Sequence, residues 1–208
     1  MKLKILHNKL SRMMDIEDPN LKYEQYQTPV DIAATFLSIV DQSCGGIYEK
    51  TLADFGCGSG ILGLGAALFE PDAVVLLDID QSCLDIAKRN SKMLIDDICV
   101  DFLKVDLESD LPFVDKIFDI TVMNPPFGTK NNSGADVRFI KNAIKYTKSS
   151  VFSFHKTSTR RYIMKVADEI GVKATVLNQV RYNLDRSYVF HKRSTVDIEV
   201  DLIKFDCA

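Results

Sequence analysis

From about residue 51 onward, short hydrophobic runs alternate with longer amphipathic stretches along the chain. This alternation is typical of an α/β domain, in which buried parallel strands appear as nearly continuous hydrophobic runs. The last run alternates apolar and acidic residues, which predicts a half-exposed antiparallel strand near one edge of an otherwise mostly parallel, seven-stranded sheet. The predicted strands are Thr51–Phe55, Ala73–Asp78, Ile98–Val105, Ile117–Met123, Ser150–Phe154, Ala174–Arg181 and Val196–Phe205.

Amphipathic stretches between these strands predict helices on both faces of the sheet, as in Rossmann-like folds. Gly171 is expected to end the last helix in the left-handed conformation. Before the sheet, Thr28-Pro29-Val30-Asp31 predicts a further helix with Thr28 as its N-cap. No repeat or linker divides the chain, so we predict one domain over residues 1–208, with residues 1–50 as an N-terminal helical extension. The four helices expected between strands are Ile61–Phe69, Ser82–Met93, Val137–Tyr146 and Ser158–Ile170.

Composition excludes several classes of protein. The 208 residues are 46% hydrophobic, which is enough for one compact core. No run approaches the roughly 18 apolar residues of a membrane span, and the N-terminus lacks the apolar core of a secretory signal. The five cysteines are scattered without a CxxC pair, which predicts free thiols and no metal site. We therefore expect a soluble intracellular protein that makes no contact with membranes.

The net charge of −3 conceals a strong asymmetry along the chain. Residues 1–126 contain 11 basic and 21 acidic side chains, whereas residues 127–208 contain 15 basic and 8 acidic ones. The basic half could form a surface that faces nucleic-acid phosphates. Several of its lysines fall at helical spacing, so solvation of helix faces explains the charge equally well.

A glycine-rich loop follows the first strand and leads into a helix. Its glycines, Gly56, Gly58 and Gly60, allow a tight turn and leave bare backbone against a ligand. The spacing G-x-G-x-G, with Asp54 two residues earlier, differs from the G-x-G-x-x-G of dinucleotide sites and favours S-adenosylmethionine over NAD. Asp78, about 20 residues beyond the loop, could accept hydrogen bonds from ribose hydroxyls.

A second motif, Asn124-Pro125-Pro126-Phe127, follows the fourth strand at the same edge of the predicted sheet. Two prolines make the turn rigid, so the Asn124 side-chain oxygen and the Pro125 carbonyl could form a fixed pair of acceptors. Such a pair matches the two N–H groups of a planar amino group and would stabilise the positive charge that develops on its nitrogen during methylation. Phe127 could stack on the base. An ordinary Asn-Pro turn is common, so the two motifs together carry the interpretation.

At these residues the chain resembles the class I amino-methyltransferases, and more narrowly the methyltransferase-like protein 5 family of ribosomal RNA adenine methyltransferases. The resemblance covers nearly the whole length, although Ser59 replaces a cysteine found in some relatives and residues 12–20 carry no strong motif. The runs that carry it are Glu24-Gln25-Tyr26-Gln27-Thr28, Asp54-Phe55-Gly56-Cys57-Gly58, Asp78-Ile79-Asp80, Asn124-Pro125-Pro126-Phe127-Gly128-Thr129-Lys130-Asn131-Asn132, Phe154-His155-Lys156-Thr157-Ser158-Thr159-Arg160 and Ser194-Thr195-Val196-Asp197-Ile198-Glu199-Val200-Asp201-Leu202-Ile203.

The resemblance implies N6 methylation of one adenosine in small-subunit (18S) ribosomal RNA, with S-adenosylmethionine as the methyl donor. It also implies a small zinc-containing activator subunit that shields a hydrophobic edge of the enzyme, and a location in the nucleus, nucleolus and cytoplasm. The residues 124–127 would hold the target adenine, and the N-terminal extension would pack on the cofactor site. The expected cofactor contacts are Gln25, Thr28, Asp54, Gly56, Gly58, Ser59, Ile61, Asp78, Asp106, Leu107 and Asn124.

Contacts to RNA are expected from Lys130, His155, Lys156 and Arg160. His155 could equally be a histidine at the end of a strand whose ring nitrogens have hydrogen-bond partners within the fold, since the chemistry needs no base from it. Three other functions use the same motifs: methylation of a glutamine amide in a protein, methylation of adenine in DNA, and a scaffold that binds cofactor without catalysis. The basic C-terminal half favours a substrate that carries phosphate.

Overall fold

The computed structural model describes residues 1–20, 23–25, 27–95, 97–127, 134–184 and 196–208. Its strands are β1 (Thr51–Phe55), β2 (Ala73–Asp78), β3 (Cys99–Lys104), β4 (Phe118–Met123), β5 (Thr147–Lys156), β6 (Lys173–Leu184) and β7 (Val196–Asp206). They form one sheet in the order β3-β2-β1-β4-β5-β7-β6. The first five strands in this order are parallel, and β7 runs antiparallel to both β5 and β6. The predicted mostly parallel sheet of seven strands is thus confirmed.

Six helices accompany the sheet in the described part of the chain: α1 (Leu3–Leu10), α2 (Val30–Ser43), α3 (Ile61–Ala67), α4 (Gln81–Leu94), α5 (Ala135–Tyr146) and α6 (Arg160–Ile170). The four helices predicted between strands are confirmed, with ends that move by at most two residues. Gly171, at φ +83°, ends α6 as predicted. Within the described residues, no helix combines the length and hydrophobicity that crossing a membrane would require.

The helices divide between the two faces of the sheet. Buried residues of α1, α2, α3 and α4 form one hydrophobic core, and those of α5 and α6 form a second core on the opposite face. Side chains alternate along each strand, so neighbouring residues contribute to different cores. In β1, for example, Leu52 belongs to the first core and Ala53 to the second. The central strands are therefore buried on both faces. Their carboxyl ends, where the site described below lies, are held in a fixed position.

The last strand, β7, is antiparallel and lies next to the edge strand β6, as predicted. The predicted half-exposure was wrong, because Asp201 of this strand is fully buried. This acidic residue is tolerated in the core because Arg160 donates to both of its carboxylate oxygens, at 2.6 and 2.7 Å. Arg160 is 41 residues away from Asp201 in the sequence, so the local alternation of residues could not indicate this ion pair.

Candidate active site

Two adjoining cavities, of about 300 and about 40 Å³, lie where β1, β2 and β4 end. The larger volume is at the lower end of the range for small-molecule sites. The carboxyl ends of parallel strands are also where open α/β folds bind ligands. All eleven residues expected to contact the cofactor line one or both cavities: Gln25, Thr28, Asp54, Gly56, Gly58, Ser59, Ile61, Asp78, Asp106, Leu107 and Asn124.

The glycine loop is held between β1 and β2 by its backbone. The N–H groups of Gly56 and Cys57 both donate to the Leu77 carbonyl, at 2.9 and 3.0 Å. Gly60 has φ +87°, and a Cβ atom there would lie 2.9 Å from the Leu76 side chain. Both the backbone conformation and the lack of space therefore require glycine at this position. The turn stays close to the sheet and leaves the cavity open beside it.

Two buried carboxylates lie next to the loop. Asp54 is 1% exposed and accepts from the Gly63 N–H at 2.7 Å, while Asp78 is 8% exposed and accepts from the Gly58 N–H at 2.8 Å. Burial raises the pKa of Asp54 to about 7, and it also raises the pKa of Asp78, although backbone N–H groups oppose the second shift. No lysine or arginine in the described ranges forms an ion pair with either group. The site therefore suits a ligand that brings positive charge and hydroxyl donors.

Asn124 directly follows β4 and lines both cavities. Its Nδ2 donates to the Thr28 hydroxyl at 3.0 Å, while its buried Oδ1 has no hydrogen-bond partner among the described residues. The following Pro125 is buried and Pro126 lines the larger cavity. The amide oxygen is thus a buried acceptor without a described partner, and it belongs to a residue that lines both cavities.

The prediction that Thr28 caps a helix was wrong. α2 begins at Val30 with Pro29 as its N-cap, and that cap makes no side-chain hydrogen bond. The Thr28 hydroxyl instead bonds Asn124, a residue 96 positions later in the sequence.

Phe127 is only 8% exposed, and the Lys156 ammonium lies over its ring, 5.5 Å from the ring centroid. A base could stack on this ring only after Lys156 moved aside. The motif continues through residues 128–132, which lie outside the described residues. Lys130, expected to contact RNA, is among them.

Burial argues against the expected RNA contact of His155. This side chain is 1% exposed within β5, and burial lowers its pKa to about 3. Burial thus keeps the imidazole neutral and away from phosphate, despite the neighbouring Asp201. The expected alternative of a hydrogen-bonded histidine is not met either, because the buried Nε2 has no partner among the described residues. Arg160 is partly exposed, but its guanidinium is already engaged by Asp201 and Gln179. Among the expected RNA-contacting residues that the structure describes, Lys156 is subject to neither of these constraints, since it is not fully buried and forms no ion pair.

Several residues at the site carried no signal in the sequence. Asn90 of α4 is fully buried. Its Oδ1 accepts from the Met14 N–H at 2.7 Å, and its Nδ2 donates to the Met14 and Ser59 carbonyls, both at 2.9 Å. It thereby ties the segment after α1 to the glycine loop. Phe139 of α5 and Ile16 line the larger cavity. Their sequence distance from both motifs explains why pattern analysis missed them.

Gln25 joins the N-terminal segment to the end of β2. Its Nε2 donates to Asp80 at 2.8 Å and its Oε1 accepts from the Asn20 N–H at 2.7 Å. These contacts place residues 23–25 along the larger cavity, next to Asp78. In the described part of the chain, no group of three or more His, Cys, Asp or Glu side chains is arranged to hold a metal ion.

Comparison with known proteins places this geometry in a family. The model for the methyltransferase small domain matches residues 27–152. The rRNA N(6)-adenosine-methyltransferase METTL5 of Danio rerio is 42% identical over 205 residues, covering 99% of each chain. The rRNA N(6)-adenosine-methyltransferase metl-5 of Caenorhabditis elegans is 41% identical over 204 residues, covering 94% of each.

Solved structures agree with these relatives. A candidate RNA methyltransferase from Pyrococcus horikoshii superposes with a TM-score of 0.82 at 28% identity, covering 99% of this chain and 96% of that one. Its likeness extends over both faces of the sheet because nearly every residue is aligned. The relatives and the matched domain lead to one conclusion: the chain belongs to the METTL5 family of rRNA N6-adenosine methyltransferases.

Proposed function

We propose that this protein transfers a methyl group from S-adenosylmethionine to the N6 nitrogen of one adenosine in small-subunit (18S) ribosomal RNA. The observation that carries the proposal is the buried Oδ1 of Asn124, a residue that lines both cavities, because this oxygen has no hydrogen-bond partner in the described chain. Membership of a family whose named relatives are rRNA N6-adenosine methyltransferases supports the choice of substrate.

The lone pair of an adenine amino group is delocalised into the ring, so its nitrogen is a weak nucleophile. Asn124 Oδ1 and the Pro125 carbonyl would accept its two hydrogens and stabilise the positive charge that develops on nitrogen. The described lining of both cavities contains carboxylates but no histidine or lysine. A sulfonium cofactor is already activated for methyl transfer and needs no strong base, so positioning and charge stabilisation would supply much of the catalysis.

The residues present fit the cofactor. When bound, S-adenosylmethionine would supply a methyl group on a positively charged sulfur. Asp54 and Asp78 would complement positive charge and hydroxyl groups, and the glycine loop would bring its backbone against the ligand. Asp106 and Leu107 would form the wall at the end of β3. Each of these roles belongs to a residue that lines a cavity.

RNA would approach along the carboxyl edge of the sheet. Lys156 lies there at the end of β5, over Phe127, and the exposed Arg161 follows in the first turn of α6. A phosphate that attracted Lys156 would uncover the Phe127 ring for the target base. Electrostatic attraction and base stacking would thereby act in sequence.

We also propose a small zinc-containing activator subunit and a location in the nucleus, nucleolus and cytoplasm. The resemblance to the family supports both. The sheet has two edge strands, β3 and β6, and a partner strand could extend either of them. Affinity purification of the full chain from its own cells, with zinc analysis of the bound proteins and imaging of the chain, tests both parts.

The test of function incubates the purified chain, with and without proteins that co-purify with it, with methyl-labelled S-adenosylmethionine. Substrates are small-subunit rRNA, large-subunit rRNA, single-stranded DNA and a release-factor protein. We expect label in small-subunit rRNA, recovered as N6-methyladenosine after digestion. Label in protein would identify a glutamine methyltransferase, and label in both rRNAs would refute the 18S assignment. Cofactor binding without transfer to any substrate would identify a scaffold.

A further inference from the structure

The Asn124 amide must be held one way round to act as an acceptor. Its two ends have nearly the same shape, but Oδ1 accepts hydrogen bonds whereas Nδ2 only donates them. With Oδ1 toward the cavity, the amide can accept from a substrate amino group. With Nδ2 there, donors would face donors, and the nitrogen would lose its stabilisation. Rigid prolines fix the backbone, but they do not choose between these two rotamers.

Contacts behind Asn124 make that choice. Nδ2 donates to Thr28 Oγ1 at 3.0 Å, and Thr28 is only 3% exposed, so water does not compete at this position. Turning the amide over would place Nδ2 toward the cavity and Oδ1 against Thr28. The Thr28 hydroxyl could then donate to Oδ1, so this contact alone does not fix the orientation of the amide. A threonine hydroxyl both donates and accepts, so Thr28 needs a further contact to be an acceptor here.

Tyr182 of β6 lies near enough to Thr28 to provide that contact. It is fully buried, and its hydroxyl makes no hydrogen bond within the described residues. Burial raises the pKa of this phenol, and the neighbouring Thr28 hydroxyl opposes the rise, so the two groups face each other and the phenol keeps its proton. A slight approach would let the Thr28 hydroxyl donate its proton to the Tyr182 oxygen. With that proton directed at Tyr182, Thr28 Oγ1 presents a lone pair to Asn124 Nδ2 and can only accept from it.

We propose that Thr28, backed by Tyr182, is the positioning residue that fixes the orientation of the Asn124 amide. It acts through Asn124 and need not touch the target base. The inference rests on the proposed amino-group methylation, since only a substrate that donates N–H groups distinguishes the two rotamers.

A double-mutant cycle tests this inference. Thr28→Val preserves shape and removes the hydroxyl, and we expect it to lower kcat at saturating cofactor by about fivefold or more, the effect of one lost buried hydrogen bond. Thr28→Ser keeps the hydroxyl and should stay within about twofold of wild type, since the bond is retained. In the Asn124→Asp background, the same Thr28→Val change should alter kcat by less than about twofold, because both ends of a carboxylate accept.

The cycle separates positioning from other roles. A contribution of Thr28 to cofactor binding would raise the KM for the cofactor and leave kcat unchanged. A contribution to stability would lower kcat equally in both backgrounds, and such an equal loss would overturn the inference. If Asn124→Asp is inactive, NMR of the Asn124 side-chain amide decides instead. We expect slowly exchanging Nδ2 protons in wild type and faster exchange in Thr28→Val, and identical exchange would overturn the inference. A wild-type chain that methylates no RNA would refute the proposed function, whereas an active wild type matched by Thr28→Val refutes only the positioning role.

Discussion

Replacing Asp54 by asparagine should make the protein more stable and weaken its binding of a cationic cofactor. Asp54 is 1% exposed, and burial raises its pKa from 3.8 to about 7. Its one hydrogen bond among the described residues comes from the Gly63 N–H at 2.7 Å, which an asparagine oxygen can still accept. The substitution therefore removes a buried negative charge and keeps the contact that joins β1 to α3.

The sign of the stability effect follows from the raised pKa. The stabilisation associated with the proton on Asp54 is fully present below pH 3.8 and is lost as the pH rises through about 7. The shift corresponds to at most about 4 kcal/mol above pH 8, at 1.36 kcal/mol for each pKa unit. Asp54→Asn should thus raise the free energy of unfolding at pH 8 by up to this amount. The gain should disappear near pH 4, where the native aspartate is protonated.

Cofactor binding should change in the opposite direction. A positively charged ligand favours the ionised carboxylate, so its affinity for wild type should fall as pH drops below about 7. Between pH 8 and pH 6 we expect a loss of about tenfold, since pH 6 lies one unit below the pKa. Asp54→Asn should bind more weakly at pH 8 and without this pH dependence. The neutral 5'-methylthioadenosine, which has neither the amino-acid part nor the sulfonium, should bind wild type equally at both pH values.

Urea denaturation followed by circular dichroism at pH 4, 6 and 8 measures the first effect, and titration calorimetry at pH 6, 7 and 8 measures the second. An Asp54→Asn variant that is less stable than wild type at pH 8 would refute the view that Asp54 carries a buried charge without a compensating ion pair. A wild-type affinity that does not change with pH would refute its role toward a cation.

Three further predictions concern catalysis, RNA binding and the core. Asn124→Ala should abolish methyl transfer in the rRNA assay and leave the cofactor Kd from calorimetry within a few-fold; near-normal transfer would refute the catalytic assignment. Lys156→Glu should weaken rRNA binding in a salt-dependent way, whereas Lys173→Glu at the opposite edge of the sheet should not; equal effects in filter binding would remove Lys156 from the RNA path. His155, with its pKa lowered to about 3, costs stability as pH falls from 6.5 toward 3, because only the unfolded chain then gains a proton. Between pH 6.5 and 4, the free energy of unfolding of wild type should therefore fall by about 3 kcal/mol more than that of His155→Gln. Equal falls for the two proteins in urea denaturation would contradict this.

Local chemistry explains which parts of the fold and site could be predicted. Hydrophobic runs located the strands, and a glycine turn and a double-proline turn after two of them placed both motifs at one sheet edge. That edge is fixed by topology, because parallel strands align their carboxyl ends. Two glycines of the loop, Asp78 and Asn124 therefore line the same pair of cavities, as their positions after the strands predict. Gln25, Thr28 and Ile61 were expected there only from the family resemblance, and they line the cavities too.

Contacts between distant residues explain what could not be predicted. In the sequence, Asn90 has the appearance of an ordinary polar residue of a helix. Its side-chain amide nevertheless donates to the Met14 carbonyl, 76 positions earlier. Asp201 continued an apparent alternation, but its burial depends on Arg160 in another element. Thr28 has the residue type and spacing of an N-cap, and only the approach of Asn124 shows where its hydroxyl bonds. In each case a tertiary contact overrode a local preference.

The separation of the two cores by the sheet has a consequence for how the protein can change. Substitutions that share no neighbours usually add in their effects on stability. Pairs of changes such as Leu37→Ala and Ile163→Ala, which lie in different cores, should therefore be nearly independent. A loss of stability on the α5 and α6 side could be offset by better packing on the other side without disturbing the two cavities. Phe139 and Leu107 are exceptions, because both belong to the second core and also line the larger cavity.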